Sequence, residues 1–393
     1  MNSVVDILKR IMRVSRRECG VITRTYIYLC SMIVFPVISI VFFLSLMESG
    51  LPLEMPVGIV DLDNTATTRS LVRRLDAFQT TKVIARYPNI DEARHAIQRN
   101  EIYAFLYFPK GTTSELMSAR RPKISYYYTN TSLTAGSLLM RDMKTISLLA
   151  NAGVGQAKLR ARGATDKQVK AFLQPIAIDL HAINNPFISY NIFLSAFIIP
   201  GIILLFVFMI SAYSIGTELK FNDSREWLKT AGNNIYVALT GKFLPQTIIW
   251  LSVFYLYYWY MFSHLGFPYS GSKFMIFLLP LITVLAAQAF GIFMYGLMPS
   301  LRMSMSICSL WGVLSFSVCG AAFPVTAMDG SLAALAQLFP LRHYYMLYQM
   351  CIFNGYPVHA AWFHFMALGI FFCMPFFVAR KIKNAMLTYI YIP

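Results

Sequence analysis

The sequence predicts an α-helical polytopic membrane protein with six transmembrane helices, cytoplasmic termini, an inserted extracytoplasmic α/β domain and an N-terminal amphipathic interfacial helix. Three observations carry that prediction. The chain is 57% hydrophobic and only 13% charged, against about 25% charged residues in ordinary soluble domains. The 36 residues from Ala182 to Thr217 contain no Asp, Glu, Lys or Arg, and a helix needs about 20 apolar residues to cross a bilayer. The segment from Leu51 to Asn184, by contrast, holds 18 Lys+Arg and 11 Asp+Glu, a soluble composition set between spans.

Residues 1–25 read as a cytoplasmic amphipathic helix. Val4, Leu8 and Ile11 share a face with Ile7 and Val14 beside it, and Lys9, Arg10, Arg13, Arg16 and Arg17 supply charge; that pattern suits a helix lying in the membrane interface. The apolar run at 26–47 is too long for a signal-peptide core, and Met47-Glu48-Ser49-Gly50 is not a small-x-small cleavage site, so it is expected to stay as the first span.

Residues 48–187 form the expected extracytoplasmic domain. Val57 to Val60 reads as a short buried strand, followed by Asp61, Asp63-Asn64-Thr65 as turn and cap, and a helix from Thr68 to Phe78. Lys82 to Arg86, Tyr103 to Phe108 and Ile124 to Tyr128 read as further strands, with a helix from Glu92 to Arg99 between the first two. That β-α-β-α-β order predicts a small α/β domain. Leu133 to Ala161 reads as a long helix, and Asp166 to Leu173 as a second that returns the chain to the membrane. None of the six cysteines falls between Leu51 and Ile183, so the domain has no internal disulfide and no thiolate metal site.

The remaining spans are expected at 188–214, 243–263, 274–298, 303–323 and 360–379, with a cytoplasmic loop at 215–242, a re-entrant outer segment at 324–359 and a cytoplasmic tail at 380–393. The expected inner segments carry fourteen Lys+Arg and the short outer ones only Lys273 and Arg342, which places both termini in the cytoplasm. Long translocated domains do not weigh in that rule. The net charge of +16 is read as topology and contact with lipid headgroups, since no basic run or zinc motif points to nucleic acid. The aromatic crowd Trp250, Tyr255, Tyr257, Tyr258, Trp259 and Tyr260 reads as an interface belt or a substrate-stacking surface.

No catalytic residue, bound cofactor or metal site is expected in this chain. Gly241-Lys242-Phe243 lacks the earlier glycine and the Ser or Thr of a Walker A loop, and no H-E-x-x-H, G-x-S-x-G or C-x-x-C occurs. His343, His359 and His364 read as scattered interfacial histidines, or else as a metal or acid/base site. Asp61 and Asp63 read as a turn with a helix cap, or else as a cation site or an acid pair. None of the six spans carries Asp, Glu, Lys or Arg in its middle, which argues against an ion-coupled carrier. In the inner loop, Trp227 and Leu228 set a large apolar pair among charges. They suit either a groove in a partner protein or an interfacial anchor.

The chain resembles the permease subunits of type-2 ABC exporters, in the subgroup with a large extracytoplasmic domain between the first two spans. The resemblance rests on the residues 57–65, 105–111 and 185–190, on Pro200-Gly201, on Gly216-Thr217-Glu218 with Arg225-Glu226-Trp227-Leu228, on Phe323-Pro324 and on the residues 339–344. It departs from the family at Lys220 and Asn222-Asp223, where a Glu and Gly-Thr are usual. The resemblance implies a dimer of permeases, of identical or different chains, over cytoplasmic ABC ATPases that bind ATP and Mg. It also implies an inner-membrane location, contact with membrane lipids, a periplasmic adaptor in some members and amphipathic substrates such as drugs or lipids. Glu218, Arg225, Glu226, Trp227 and Leu228 are the expected contacts to the ATPase. Two other readings fit the pattern less fully: a membrane anchor presenting a binding domain, and a membrane-embedded transferase.

Overall fold

The computed structural model describes residues 2–48, 50–118, 120, 122–174, 181, 185 and 188–391. Asn184, Pro186, Phe187 and the expected domain boundary at 187 lie outside the described residues. The chain divides into two compact units, Met1–Glu48 with Ile183–Pro393, and Ser49–Ala182.

The first unit begins with α1 (Asn2–Arg24). The first candidate span, Tyr26–Leu46, comprises α2 (Tyr26–Leu29), a π turn at Cys30–Val34 and α3 (Phe35–Leu46).

The inserted unit carries β1 (Met55–Asp61), α4 (Ala66–Asp76), β2 (Thr81–Arg86), α5 (Ile90–Gln98), β3 (Ala104–Phe108), α6 (Thr112–Met117), β4 (Ser125–Tyr128), α7 (Leu133–Ala161) and α8 (Asp166–Leu173). Its sheet order is β2-β1-β3-β4. β1 runs parallel to β2 and β3, and β4 closes the edge antiparallel to β3. A parallel pair needs both faces covered. Val57 and Ile59 of β1 pack with Val72, Leu75, Leu139 and Met143 on one side. Val60 and Phe105 pack with Ala93, Ala96 and Ile102 on the other. The buried Asp142 of α7 accepts hydrogen bonds from the hydroxyls of Thr80 and Thr81, which satisfies a carboxylate that would otherwise be costly to bury.

The chain then returns to the first unit with α9 (Tyr190–Lys220), α10 (Ser224–Thr230), α11 (Ile235–Trp259), α12 (Lys273–Leu297), α13 (Leu301–Val318), α14 (Gly330–Ala336), α15 (Pro340–Leu347) and α16 (Trp362–Thr388). With Tyr26–Leu46, the described residues contain six helices long and apolar enough to span a membrane. Further π turns extend α11 at Tyr260–His264 and α15 at Tyr348–Phe353. Pro200, Pro245, Pro280 and Pro375 lie inside the long helices, a placement that neighbouring helices make tolerable in a membrane. α9 packs against α3, α12 and α13. α12 meets it so closely at Gly291 that a Cβ there would stand 2.7 Å from the Phe208 carbonyl oxygen.

Half of the aromatic group on and just after α11 is internal. Trp250, Tyr257 and Tyr258 are fully buried and Trp259 is exposed. The Tyr257 hydroxyl donates to the Ser195 carbonyl at 2.7 Å, and those of Tyr258 and Tyr344 lie 2.9 Å apart. These hydroxyls fasten α11 to α9 and α15, because a buried phenol must find a partner. The buried members are therefore packing residues, neither an interface belt nor an open stacking surface.

Candidate functional site

The expected inner loop at 215–242 is largely helical. α9 continues to Lys220 and carries Glu218 in its last turns, α10 follows after a short turn, and α11 begins at Ile235. Asn222 and Asn233 adopt positive φ at the two ends of α10, a conformation that asparagine tolerates better than most residues.

A closed charge cluster lies behind this turn. Lys242 of α11 is 1% exposed, and its Nζ donates to Glu18 Oε2 and to Glu218 Oε1, each at 2.7 Å. The guanidinium of Arg17 grips Glu218 with both terminal nitrogens, at 2.6 and 2.9 Å. Gln246 Nε2 donates to Glu18 Oε1 at 3.0 Å and to Ser214 Oγ at 2.9 Å. The Lys242 ammonium also sits 5.4 Å from the centre of the Trp227 ring, an attractive cation–π placement. Two cations thus face two buried carboxylates, with the exposed Asp223 3.9 Å from Arg17 at the edge, and the buried part of the cluster is neutral. Burial alone would lower the Arg17 pKa, but the bond to Glu218 and the surrounding carboxylates outweigh it and raise it.

The cluster ties together α1, α9, α10 and α11. Ser15 Oγ donates to the Gly241 carbonyl at 2.8 Å. A Cβ on Gly241 would lie 2.9 Å from the Ile11 carbonyl oxygen and 2.7 Å from Val14 Cβ, so the glycine permits the close crossing of α1 over α11. From the other side, Ser224 Oγ donates to the Met386 carbonyl at 2.8 Å and Lys383 Nζ to the Asn233 carbonyl at 2.7 Å. The short helix α10 is therefore held by both the N-terminal and the C-terminal helices.

The expected site residues divide between buried and exposed positions. Trp227 and Leu228 are fully buried and Glu218 is 4% exposed. The reason is the helical spacing of Ser224, Trp227 and Leu228, which puts all three on the inner face of α10. Arg225, Glu226 and Lys229 form the exposed face. On α1, Val14, Ser15 and Glu18 are buried against the bundle, whereas Val4, Ile7 and Leu8 are exposed. Glu18 and Lys242 did not figure among the expected site residues. Their signal was present, since Glu18 lies one turn after Val14 on the same helix face.

The remaining candidates resolve into local structure. Asp61 accepts the backbone N–H groups of Asp63 and Asn64. Asp63 accepts from Gly111 N at 2.9 Å, Thr113 N at 3.0 Å and Thr113 Oγ1 at 2.5 Å, and the Thr113 hydroxyl chiefly lowers its pKa. These aspartates bind a turn together. His343 and His364 are paired, with their Nδ1 atoms 3.0 Å apart, and His343 Nε2 lies 2.9 Å from the Gln337 carbonyl oxygen. No group of three His, Cys, Asp or Glu suited to a metal occurs among the described residues.

A family model described as ABC-2 family transporter protein matches residues 26–379. The chain belongs to that family. No curated protein matches it. As an ABC-2 permease it is a multi-pass membrane protein, the transport component of an ABC transporter and not itself its catalytic part, and the family associates with an ABC ATPase. In this permease the exposed face of α10, backed by the neutral charge cluster, is the candidate surface for that association.

Proposed function

We propose that this permease belongs to an ATP-driven exporter of the inner membrane, moving an amphipathic, drug-like or lipid-like substrate outward. Its termini and α10 face the cytoplasm, the inserted domain faces the periplasm, and a second permease copy completes the pathway. ATP and Mg act on the separate ATPase, and in this reading an adaptor joins on the periplasmic side only in some assemblies. The observation that carries the reading is the seating of α10. Arg225 and Glu226 face outward, while Trp227 and Lys242 join the same helix to a buried ionic lock shared with α1, α9 and α11. Charge pairing at Arg225 and Glu226 makes the contact, and Trp227, Leu228 and Glu218 pass the movement into the spans. An amphiphile as cargo follows from the resemblance of the inserted domain and inner turn to that exporter subgroup.

The test is recovery of the tagged chain from its native membrane in mild detergent. A stoichiometric partner bearing a Walker A motif is expected, and reversing both exposed charges with Arg225→Glu and Glu226→Lys should release it while the chain stays folded. Retention of the partner by that variant would refute the contact. Recovery of the chain alone, even after cross-linking in membranes, would refute the transporter assembly.

A further inference from the structure

The inserted unit holds a cleft of about 910 Å³ bounded by α4, α7 and the residues Leu116, Arg120, Pro122 and Ile124. That is the size of a site for a small organic molecule. Leu71, Leu116, Ile124, Leu149 and Val154 line it with apolar surface. Arg74, Arg120 and Lys158 reach it from three separate elements, and no Asp or Glu lies among its lining residues.

Four basic residues elsewhere in the unit are neutralised by a carboxylate. Lys82 pairs with Glu54, Arg99 with Glu101, Arg141 with Asp142 and Arg160 with Asp166. Among the described residues, Arg74, Arg120 and Lys158 have no ion-pair partner and no side-chain hydrogen bond. Like charges converging on one cleft repel each other unless an anion joins them. The first turn of α4, with Ala66 and Thr67, also lines the cleft and adds the positive end of a helix. Apolar surface beside this charge excludes a purely hydrophilic anion as the best occupant. Leu149 remains 45% exposed, and covering it would be favourable.

We propose that this cleft binds a single-chain anionic amphiphile: an apolar tail against Leu71, Leu116, Ile124, Leu149 and Val154, and a carboxylate, sulfate or phosphate monoester held by Arg74, Arg120 and Lys158. The inference does not depend on the transport reading, because it concerns equilibrium binding to one unit of the chain.

The test uses the full chain in nanodiscs of zwitterionic lipid, without ATPase or nucleotide. A photoactivatable fatty acid is cross-linked, and the labelled peptides are mapped by mass spectrometry. Labelling is expected within residues 66–74 and 149–158. Dodecyl sulfate and dodecyl phosphate should compete, whereas dodecyltrimethylammonium and inorganic phosphate should not. Each exposed charge contact is worth roughly a twofold or larger factor in affinity. The triple variant Arg74→Gln, Arg120→Gln, Lys158→Gln should therefore weaken labelling by about tenfold. A second variant, Leu149→Asp, should weaken it through the apolar wall, and circular dichroism of both variants should match the parent. Equal competition by the cationic amphiphile, or undiminished labelling of the triple variant, would overturn the charged half of the proposal. Full competition by inorganic phosphate would overturn the apolar half, and labelling confined to the spans would overturn both.

Discussion

Replacing Lys242 with Met leaves two buried carboxylates facing one cation. Glu18 then keeps only the amide of Gln246, at 3.0 Å, while Glu218 keeps Arg17. Breaking a buried pair by removing one partner costs about 3–5 kcal/mol, because the surviving charge stays out of water. At about 2–4 °C per kcal/mol for a unit of this size, the unfolding midpoint should fall by roughly 6–20 °C. Adding Glu18→Gln restores neutrality, since Arg17 and Glu218 then balance alone. Neutral replacement of a buried pair is commonly close to isoenergetic, so the double variant should recover about 2–4 kcal/mol of the loss. Thermal unfolding of the three chains in nanodiscs, followed by tryptophan emission, measures this ordering. Trp227, beside Lys242, reports on the cluster directly. If Lys242→Met melts with the parent, or if the double variant melts below it, charge balance does not hold these helices together.

Three further outcomes follow from the same geometry. Gly241→Ala places a methyl group against the Ile11 carbonyl and Val14; it should cost about 1–3 kcal/mol, and amide exchange along α1 should speed up. Tyr258→Phe leaves the Tyr344 hydroxyl without its partner and should cost about 1–3 kcal/mol, whereas Tyr258→Phe with Tyr344→Phe should cost less, as unfolding midpoints would record. Because the folded-state pKa of Asp63 is depressed by Thr113, its contribution is complete above the unfolded value of about 3.9 and disappears as pH falls through the lower folded value. Exchange of the Gly111 and Thr113 amides should therefore accelerate below about pH 4 in the parent, and should be fast and independent of pH-linked protonation of this side chain in Asp63→Asn.

The parts of this architecture that could be read from sequence are those set by local pattern. Val57 to Val60 alternates into two faces of a covered sheet, and the charge-free run ending at Thr217 admits little but a buried helix. The candidate site was legible in place but not in orientation. Trp227-Leu228 among charges looks like an apolar patch offered outward, until α1 and α16 are known to cover it. Glu18 and Lys242 are separated by more than two hundred positions, and each alone reads as a solvated charge at a membrane boundary. Only the crossing at Gly241 shows that each is the other's solvent. The histidine pair is similar: His343 and His364 belong to different elements, and their contact arises from how α15 folds back on α16.

The π turns at Cys30–Val34, Tyr260–His264 and Tyr348–Phe353 bear on how the chain can change length. Elsewhere in a spanning helix, gaining or losing one residue rotates everything beyond it by about 100° and turns core side chains toward lipid. A π turn already stores one residue beyond the α repeat. Removal of a single codon there would tighten the turn to an α-helix rather than break it. Two of these turns, Cys30–Val34 and Tyr260–His264, lie within candidate spans, so there a residue could be lost without turning the far end of the helix out of the bundle.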